Sequence, residues 1–399
     1  VSDWWLTVTG NMPRIYLDNA ATSWPKPEAV YAAVDRYQRE WGTPAGRSAY
    51  AEAAEVERRL GEVRRLAAGT IGAEDPRRIV FTCNGTDSLN QAIHGWLRAG
   101  DHVVTTCVEH NSVLRPLRTL ERSRQISVTR VPCGADGVID PNAIRQAVTP
   151  RTRLIALNHV SNVTGAIQPA AEVGTIAREH EIPYLLDAAQ SLGHLPIDVR
   201  QWHVSLLAAP GHKGLLGPLG TGVLYVAPGM ESHLLPCRQG GTGTQSELDE
   251  QPETLPDRYE SGNHNVPGLI GLGAGLAYIQ QRGLDDLRRH QSELVQRLIE
   301  GLREVRGIQL WGPGDAARQC GVVSLTIDGY DPQEVASMLD VSYRIQVRSG
   351  LHCAPLMHTA LGTRVRGGTV RFSVGPFNTQ DEVALAVTAC AEIADSSSG

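Results

Sequence analysis

"TRLIALNHVSNVTGAIQPAAEVGTIAREHEIPYLLDAAQS", residues 152–191, decides the fold. It opens on a buried-strand run, TRLIALNHV, passes through a helical stretch over 169–181, and returns to a second apolar run, IPYLLDAA. A strand, a helix and a strand at this spacing form the crossover that parallel strands require. The same alternation extends to both sides. RRIVFTC (77–83), DHVVTTCV (101–108) and GTGVLYVA (220–227) read as further buried strands, with helices over 86–98, 112–124 and 141–148. An α/β fold is predicted, its mainly parallel sheet covered by helices on both faces. Open sheets of this kind take their ligands at the carboxyl ends of the strands.

From NVPGLIGLGAGLAYIQQRG (265–283) the pattern changes. A long helical stretch runs to about residue 305 and is followed by CGVVSLTID, DPQEVASMLD, YRIQVRSG and GTVRFSV, a smaller α+β unit. The boundary is expected near 265, dividing a large unit over 15–265 from a small one over 266–399 that includes residues 1–14. A length of 399 residues accommodates two such units, at roughly 150 residues per domain.

Composition narrows the function. The formal net charge is −6 and no Lys/Arg block occurs, which argues against a nucleic-acid surface. The pairs Arg64-Arg65 and Arg288-Arg289 read as exposed helix faces. No apolar run approaches the ~18 residues of a membrane span. The first residues lack the basic and apolar regions of a signal peptide, and the terminal SSSG reads as a frayed tail. The seven cysteines are scattered, odd in number and free of C-x-x-C, as expected for thiols in a reducing cytoplasm and not for a disulfide frame or zinc site. A cytoplasmic enzyme with no metal is the expectation.

Reactive residue types sit at the strand ends. After RRIVFTC comes Asn84-Gly85-Thr86 and a helix start, which suits a phosphate through free N–H groups and the helix dipole, or is an ordinary cap by Thr86 or Asp87. Asp187 ends IPYLLDAA, where a carboxylate is costly unless a cation pairs with it; a helix cap is the other reading. Lys213 stands in PGHKGLLGPLG (210–220), a dry turn that either depresses its pKa and makes it an amine nucleophile or lets the ammonium snorkel out. An anion cradle, a carboxylate for a ring nitrogen and a lysine for an aldehyde together fit pyridoxal 5′-phosphate. TTCVEHN adds His110, able to lie on a ring, and LNHVSNVTG adds Asn158 and Asn162. Downstream, RSGLHCAPLMH places Cys353 in a Gly/Pro-framed loop beside His352 and Arg348, which are expected to lower its thiol pKa. Cys83, Cys107 and Cys390 suit buried, inert thiols better. Arg371 interrupts the apolar strand GTVRFSV.

The motifs YLDNAAT, EHN, HVSNVTG, LLDAAQS, GHK and RSGLHC, with the late arginine, resemble the class V, fold-type I pyridoxal-phosphate enzymes, and among them the cysteine desulfurase and selenocysteine lyase group. The resemblance covers nearly the whole chain. It implies a seven-stranded large domain, a homodimer, and conversion of L-cysteine to alanine with a persulfide on Cys353 for an acceptor protein. Selenocysteine lyase or another class V reaction, a β-elimination or an epimerisation, is the alternative, and a cofactor-binding scaffold without catalysis is a more distant one. By resemblance Lys213 condenses with the cofactor aldehyde, His110 stacks on the ring and Asp187 pairs its nitrogen. Gln190 contacts the ring hydroxyl, while Gly85, Thr86 and His212 hold the phosphate. Asn162 serves cofactor and substrate, and Arg371, Arg348, Asn19 and Ala20 face the substrate, Arg371 gripping its carboxylate. Three positions depart from the family pattern: Pro210 replaces a hydroxyl residue, Asn263 replaces a threonine that reaches the partner's phosphate, and Tyr50 replaces a histidine. Asn263 is kept as a phosphate contact. The Gly/Thr-rich stretch GGTGTQSE (240–247) is a further candidate for phosphate or substrate contacts.

Overall fold

The computed structural model describes residues 14–45, 50–123 and 126–396. The expectations for residues 1–13 and for 397–399 fall outside them. A short strand, β1 (Ile15–Tyr16), precedes the seven strands of the large sheet. These are β2 (Ile79–Thr82), β3 (His102–Thr106), β4 (Ser127–Val131), β5 (Thr152–Asn158), β6 (Tyr184–Asp187), β7 (Leu206–Pro210) and β8 (Gly222–Val226). Their order is β2-β8-β7-β6-β5-β3-β4. β8 runs antiparallel to both neighbours and every other pairing is parallel, the mainly parallel sheet that the alternation predicts.

Two of the seven strands carry no sequence signal. β4, SVTRV, is an edge strand with one buried side chain, so its pattern lacks an apolar run. β7, LLAAP, is fully buried but short, and its small residues and terminal proline resemble a turn. Helices start where side chains satisfy free N–H groups. Asn84 accepts from Asp87 N–H at the head of the 85–96 helix, so the cap is Asn84 and neither Thr86 nor Asp87. Asp331 and Glu334 form a capping box for 332–343.

The small unit holds β9 (Ile308–Trp311), β10 (Val322–Ile327), β11 (Ile345–Gln346), β12 (Arg348–Gly350) and β13 (Thr369–Ser373). Four of them form an antiparallel sheet, β12-β13-β10-β9, which shares one core with helices 284–303 and 380–396. Its core includes Leu294, Leu298, Phe372 and Ile393, each fully or almost fully buried and worth about 2 kcal/mol of burial. The long helical stretch is two helices, 266–282 and 284–303, parted at Gly283 with φ 87°. The sequence predicts a boundary near 265, yet Leu269, Leu272 and Leu276 pack in the core of the large sheet, carrying that unit through the 266–282 helix. Ile15 and Leu17 pack in the small core, where β1 pairs with β11. The segment 15–26 therefore runs from the small unit across to the large one. Among the described residues no helix is long and apolar enough to cross a membrane.

Candidate active site

The carboxyl ends of β2, β3, β5, β6 and β7 open onto one cleft of about 480 Å³. Gly85, Thr86, His110, Asn162, Asp187, Gln190, His212 and Lys213 all line it, with Asn84, Ser112, Asn158 and Pro210. The turn carrying Lys213 is closed by steric necessity. A Cβ on Gly211 would lie 2.1 Å from Thr221 Oγ1, and one on Gly214 would lie 2.3 Å from the carbonyl oxygen of Leu192. From the other side, Ser23 Oγ donates to the carbonyls of His212 and Lys213 at 3.1 and 3.0 Å, and Lys26 Nζ donates to His212 O at 2.8 Å. The lysine's backbone is thus held by both the sheet and the crossing segment.

Electrostatics distinguish these groups from ordinary surface residues. Burial lowers the Lys213 ammonium to about 8, opposed by the charge of Asp187 and assisted by Arg371 and Arg348. Burial raises the Asp187 carboxyl, while a 3.0 Å bond from Ala189 N–H and the charge of Lys213 pull it down. His110 falls to about 4 through burial and then through Lys213, so its ring is neutral at pH 7. Its Nδ1 accepts from Ser112 N–H at 3.1 Å, which assigns the remaining proton to Nε2. His212 is likewise lowered to about 4 by burial. The Nδ1 of His212 and the Oδ1 of Asn162 are buried without a partner, two polar atoms that a bound ligand can satisfy.

The second group of predicted residues comes from the small unit. Arg348 and Arg371 are cross-strand neighbours on β12 and β13. Arg371 Nη1 donates to Asn162 O at 3.0 Å, which ties β13 to the cleft. The Cys353 loop is tied there too: Asn111 N–H donates to Cys353 O at 2.7 Å, and Asn162 Nδ2 donates to His352 O at 2.6 Å. His352 and Cys353 both have positive φ, 46° and 59°, a conformation costing roughly 1 kcal/mol or more for a side-chain-bearing residue. Arg348 Nη2 lies 3.8 Å from Cys353 Sγ, as the sequence suggests. His352 does not serve the thiol. Its Nε2 faces the carbonyl and hydroxyl of Thr369, and burial beside Arg371 holds the ring neutral.

Some predicted residues are placed elsewhere. Asn263 lines a separate cavity with His264, Thr242 and Thr244, so within one chain it does not reach the cleft. Thr242 and Thr244, from the 240–247 loop, face that same cavity. Asn19 spends its side chain on Ser373 O, Asn378 Oδ1 and Trp24 N–H, a structural tie with no free donor toward a substrate. Ala20 offers its carbonyl to Gln190 Nε2 at 2.9 Å and so orients that side chain. Cys83 is exposed at the end of β2, against the expectation of a buried thiol, because the chain leaves the sheet there; Cys390 is buried as expected. Ser112, which no motif singles out, also lines the cleft. Its Oγ bridges Thr86 Oγ1 at 2.8 Å and His110 Nδ1 at 2.9 Å, and the only sequence signal is a hydroxyl two places after His110 at a helix start.

Similarity agrees with this geometry. Residues 15–385 match the family described as aminotransferase class-V, and the chain belongs to that family. A probable cysteine desulfurase of Methanothermobacter thermautotrophicus is 38% identical over 96% of this chain and 95% of that protein. A cysteine desulfurase of Klebsiella pneumoniae is 33% identical over 93% and 91%. The apo structure of a cysteine desulfurase from Thermococcus onnurineus superposes with a TM-score of 0.90 at 34% identity, covering 96% of this chain and 95% of that one. Within the class-V family the chain groups with the cysteine desulfurases.

Proposed function

We propose that the protein releases sulfur from L-cysteine, leaving L-alanine and a persulfide on Cys353, with pyridoxal 5′-phosphate bound in the cleft. The observation that carries this reading is the convergence of Lys213 and Asp187 on one cleft to which the Cys353 loop is bonded. The residues fit the cofactor. Thr86, Ser112 and the uncapped N–H groups of the 85–96 helix suit its phosphate, Asp187 its ring nitrogen, and the unpartnered Asn162 Oδ1 and His212 Nδ1 its polar rim. Bound there, it supplies an electron sink for the bonds broken at the substrate's Cα and Cβ.

The chain's own residues do the rest. Lys213, with its ammonium lowered to about 8, holds and moves the Cα proton. Neutral His110 covers the cleft face with an Nε2–H donor. Arg371 binds the substrate carboxylate. Cys353 Sγ, as thiolate, attacks the substrate's sulfur; an S–S bond forms as the Cβ–S bond breaks, and Cβ takes up a proton. The overall change, cysteine plus thiol to alanine plus persulfide, balances without an outside oxidant. The persulfide sulfur then passes to an acceptor protein. A cytoplasmic homodimer completes the reading, with Asn263 serving the partner subunit's cleft.

Mass spectrometry after brief exposure of cofactor-loaded protein to cysteine tests it. One added sulfur on Cys353 is expected, and Cys353→Ser should abolish alanine formation while cysteine still perturbs the cofactor's absorbance. If Cys353→Ser makes alanine at the parent rate and no persulfide forms on Cys353, the reading is wrong.

A further inference from the structure

The arginine assigned to the substrate carboxylate already has one carboxylate. Arg371 is 1% exposed, and its Nη2 lies 2.7 Å from Asp18 Oδ1. Its Nη1 is bonded to Asn162 O, and its Nε–H is buried with no partner. Of the three guanidinium nitrogens, Nε is the one with no partner. Asp18 is fixed through its backbone: its carbonyl accepts from Ala21 N–H at 3.0 Å and from Tyr16 Oη at 3.2 Å, and it bridges Ser373 at the end of β13. Among the described residues it is the one carboxylate ion-paired with Arg371, and no ion pair links a carboxylate to Arg348 across the strand.

We propose that Asp18 is a positioning residue that leaves the unpartnered Nε–H of Arg371 for the substrate and, by its negative charge, limits how tightly any α-carboxylate is held. Two physical requirements meet here. A buried guanidinium facing a second arginine is costly when unpaired, so the empty site needs a counter-charge. Once a carboxylate arrives, two negative groups share one guanidinium and repel each other across a few ångströms of poorly screened space. Cysteine and alanine carry the same carboxylate, so Asp18 weakens substrate and product alike and favours release. The inference rests on the desulfurase reading for its substrate and on the Arg371 geometry alone for its sign.

Asp18→Asn keeps an oxygen acceptor for Nη2 and removes the charge. KM for cysteine and the inhibition constant for alanine should both fall, by a shared factor of roughly 3 to 10, with kcat equal to the parent's or lower. Either constant unchanged, or both raised, overturns the proposal, because a purely structural Asp18 would be matched or worsened by Asn. Calorimetry with 3-mercaptopropionate, which has a carboxylate and no amine, on cofactor-free protein gives a readout independent of turnover. Tighter binding by Asp18→Asn is expected there, and equal or weaker binding is fatal. If the parent does not turn over cysteine, the desulfurase reading fails while this titration still decides the role of Asp18. Should Asp18→Asn not fold, Asp18→Glu retains the charge on a longer stem and should bind 3-mercaptopropionate no more tightly than the parent; tighter binding refutes the idea.

Discussion

Lys213 and Asp187 show what single residues contribute. The folded chain holds the Lys213 ammonium at about 8 against an ordinary 10.5, so the unfolded chain binds that proton more tightly. The lysine therefore lowers stability at neutral pH, and its penalty fades as pH climbs from about 8 past 10.5. In cofactor-free protein, Lys213→Met should raise the urea midpoint at pH 7 and raise it much less at pH 10. A gain independent of pH would show that the site is not dry. In loaded protein, borohydride should fix a pyridoxyl group on Lys213, found by peptide mapping, and on no other lysine. Asp187→Asn keeps the Ala189 N–H bond but drops the charge proposed to serve the ring nitrogen. Turnover should then fall far more than affinity for cysteine changes; near-parent kcat would reduce Asp187 to a cap.

Among the elements, the turn that follows β7 is the most constrained. Gly214→Ala would push a methyl group into the backbone carbonyl of Leu192, which cannot swing away as a side chain could. A loss of at least ~2 kcal/mol is expected, with weaker cofactor retention, measured by thermal melting and by absorbance after dialysis. A parent-like melt would mean that the turn gives more than its contacts suggest. The turn is legible in the sequence because Gly211, Gly214 and Gly217 crowd around one lysine. Its second support is not, since Ser23 and Lys26 reach it from about 190 residues away. The same contrast separates β5 and β6, visible as apolar runs, from β4 and β7, whose strand character comes from their neighbours in the sheet.

Across the whole molecule, buried neutral histidines set the response to acid. His110, His159, His194, His212 and His358 are each lowered to about 4, all chiefly by burial. Their stabilising contribution is complete above the ordinary value of 6.5 and is lost as pH falls toward 4. Circular dichroism should show cooperative unfolding in that window, and His159→Phe should shift the midpoint to lower pH if the ring is accommodated. Glu109 acts in the opposite sense. Burial raises its carboxyl to about 8, so its contribution declines as pH rises from 4.5 to about 8. Glu109→Gln should flatten the alkaline side of the stability curve; an unchanged slope would mean Glu109 is ionised throughout.

The alternating strands and helices, the lysine turn, the carboxylate closing β6 and the Cys353 loop are determined by the sequence itself. Each rests on local periodicity, sterics or turn chemistry within a few residues. Only the tertiary structure decided what those groups face. Asp18 meets Arg371 across 353 positions, Ser112 joins Thr86 to His110, His352 turns to Thr369 instead of the thiol, and Asn263 falls in another cavity. Such pairings depend on how strands from two units are brought together, and on which buried charge needs a counter-charge once water is gone, neither of which a local run of residues records.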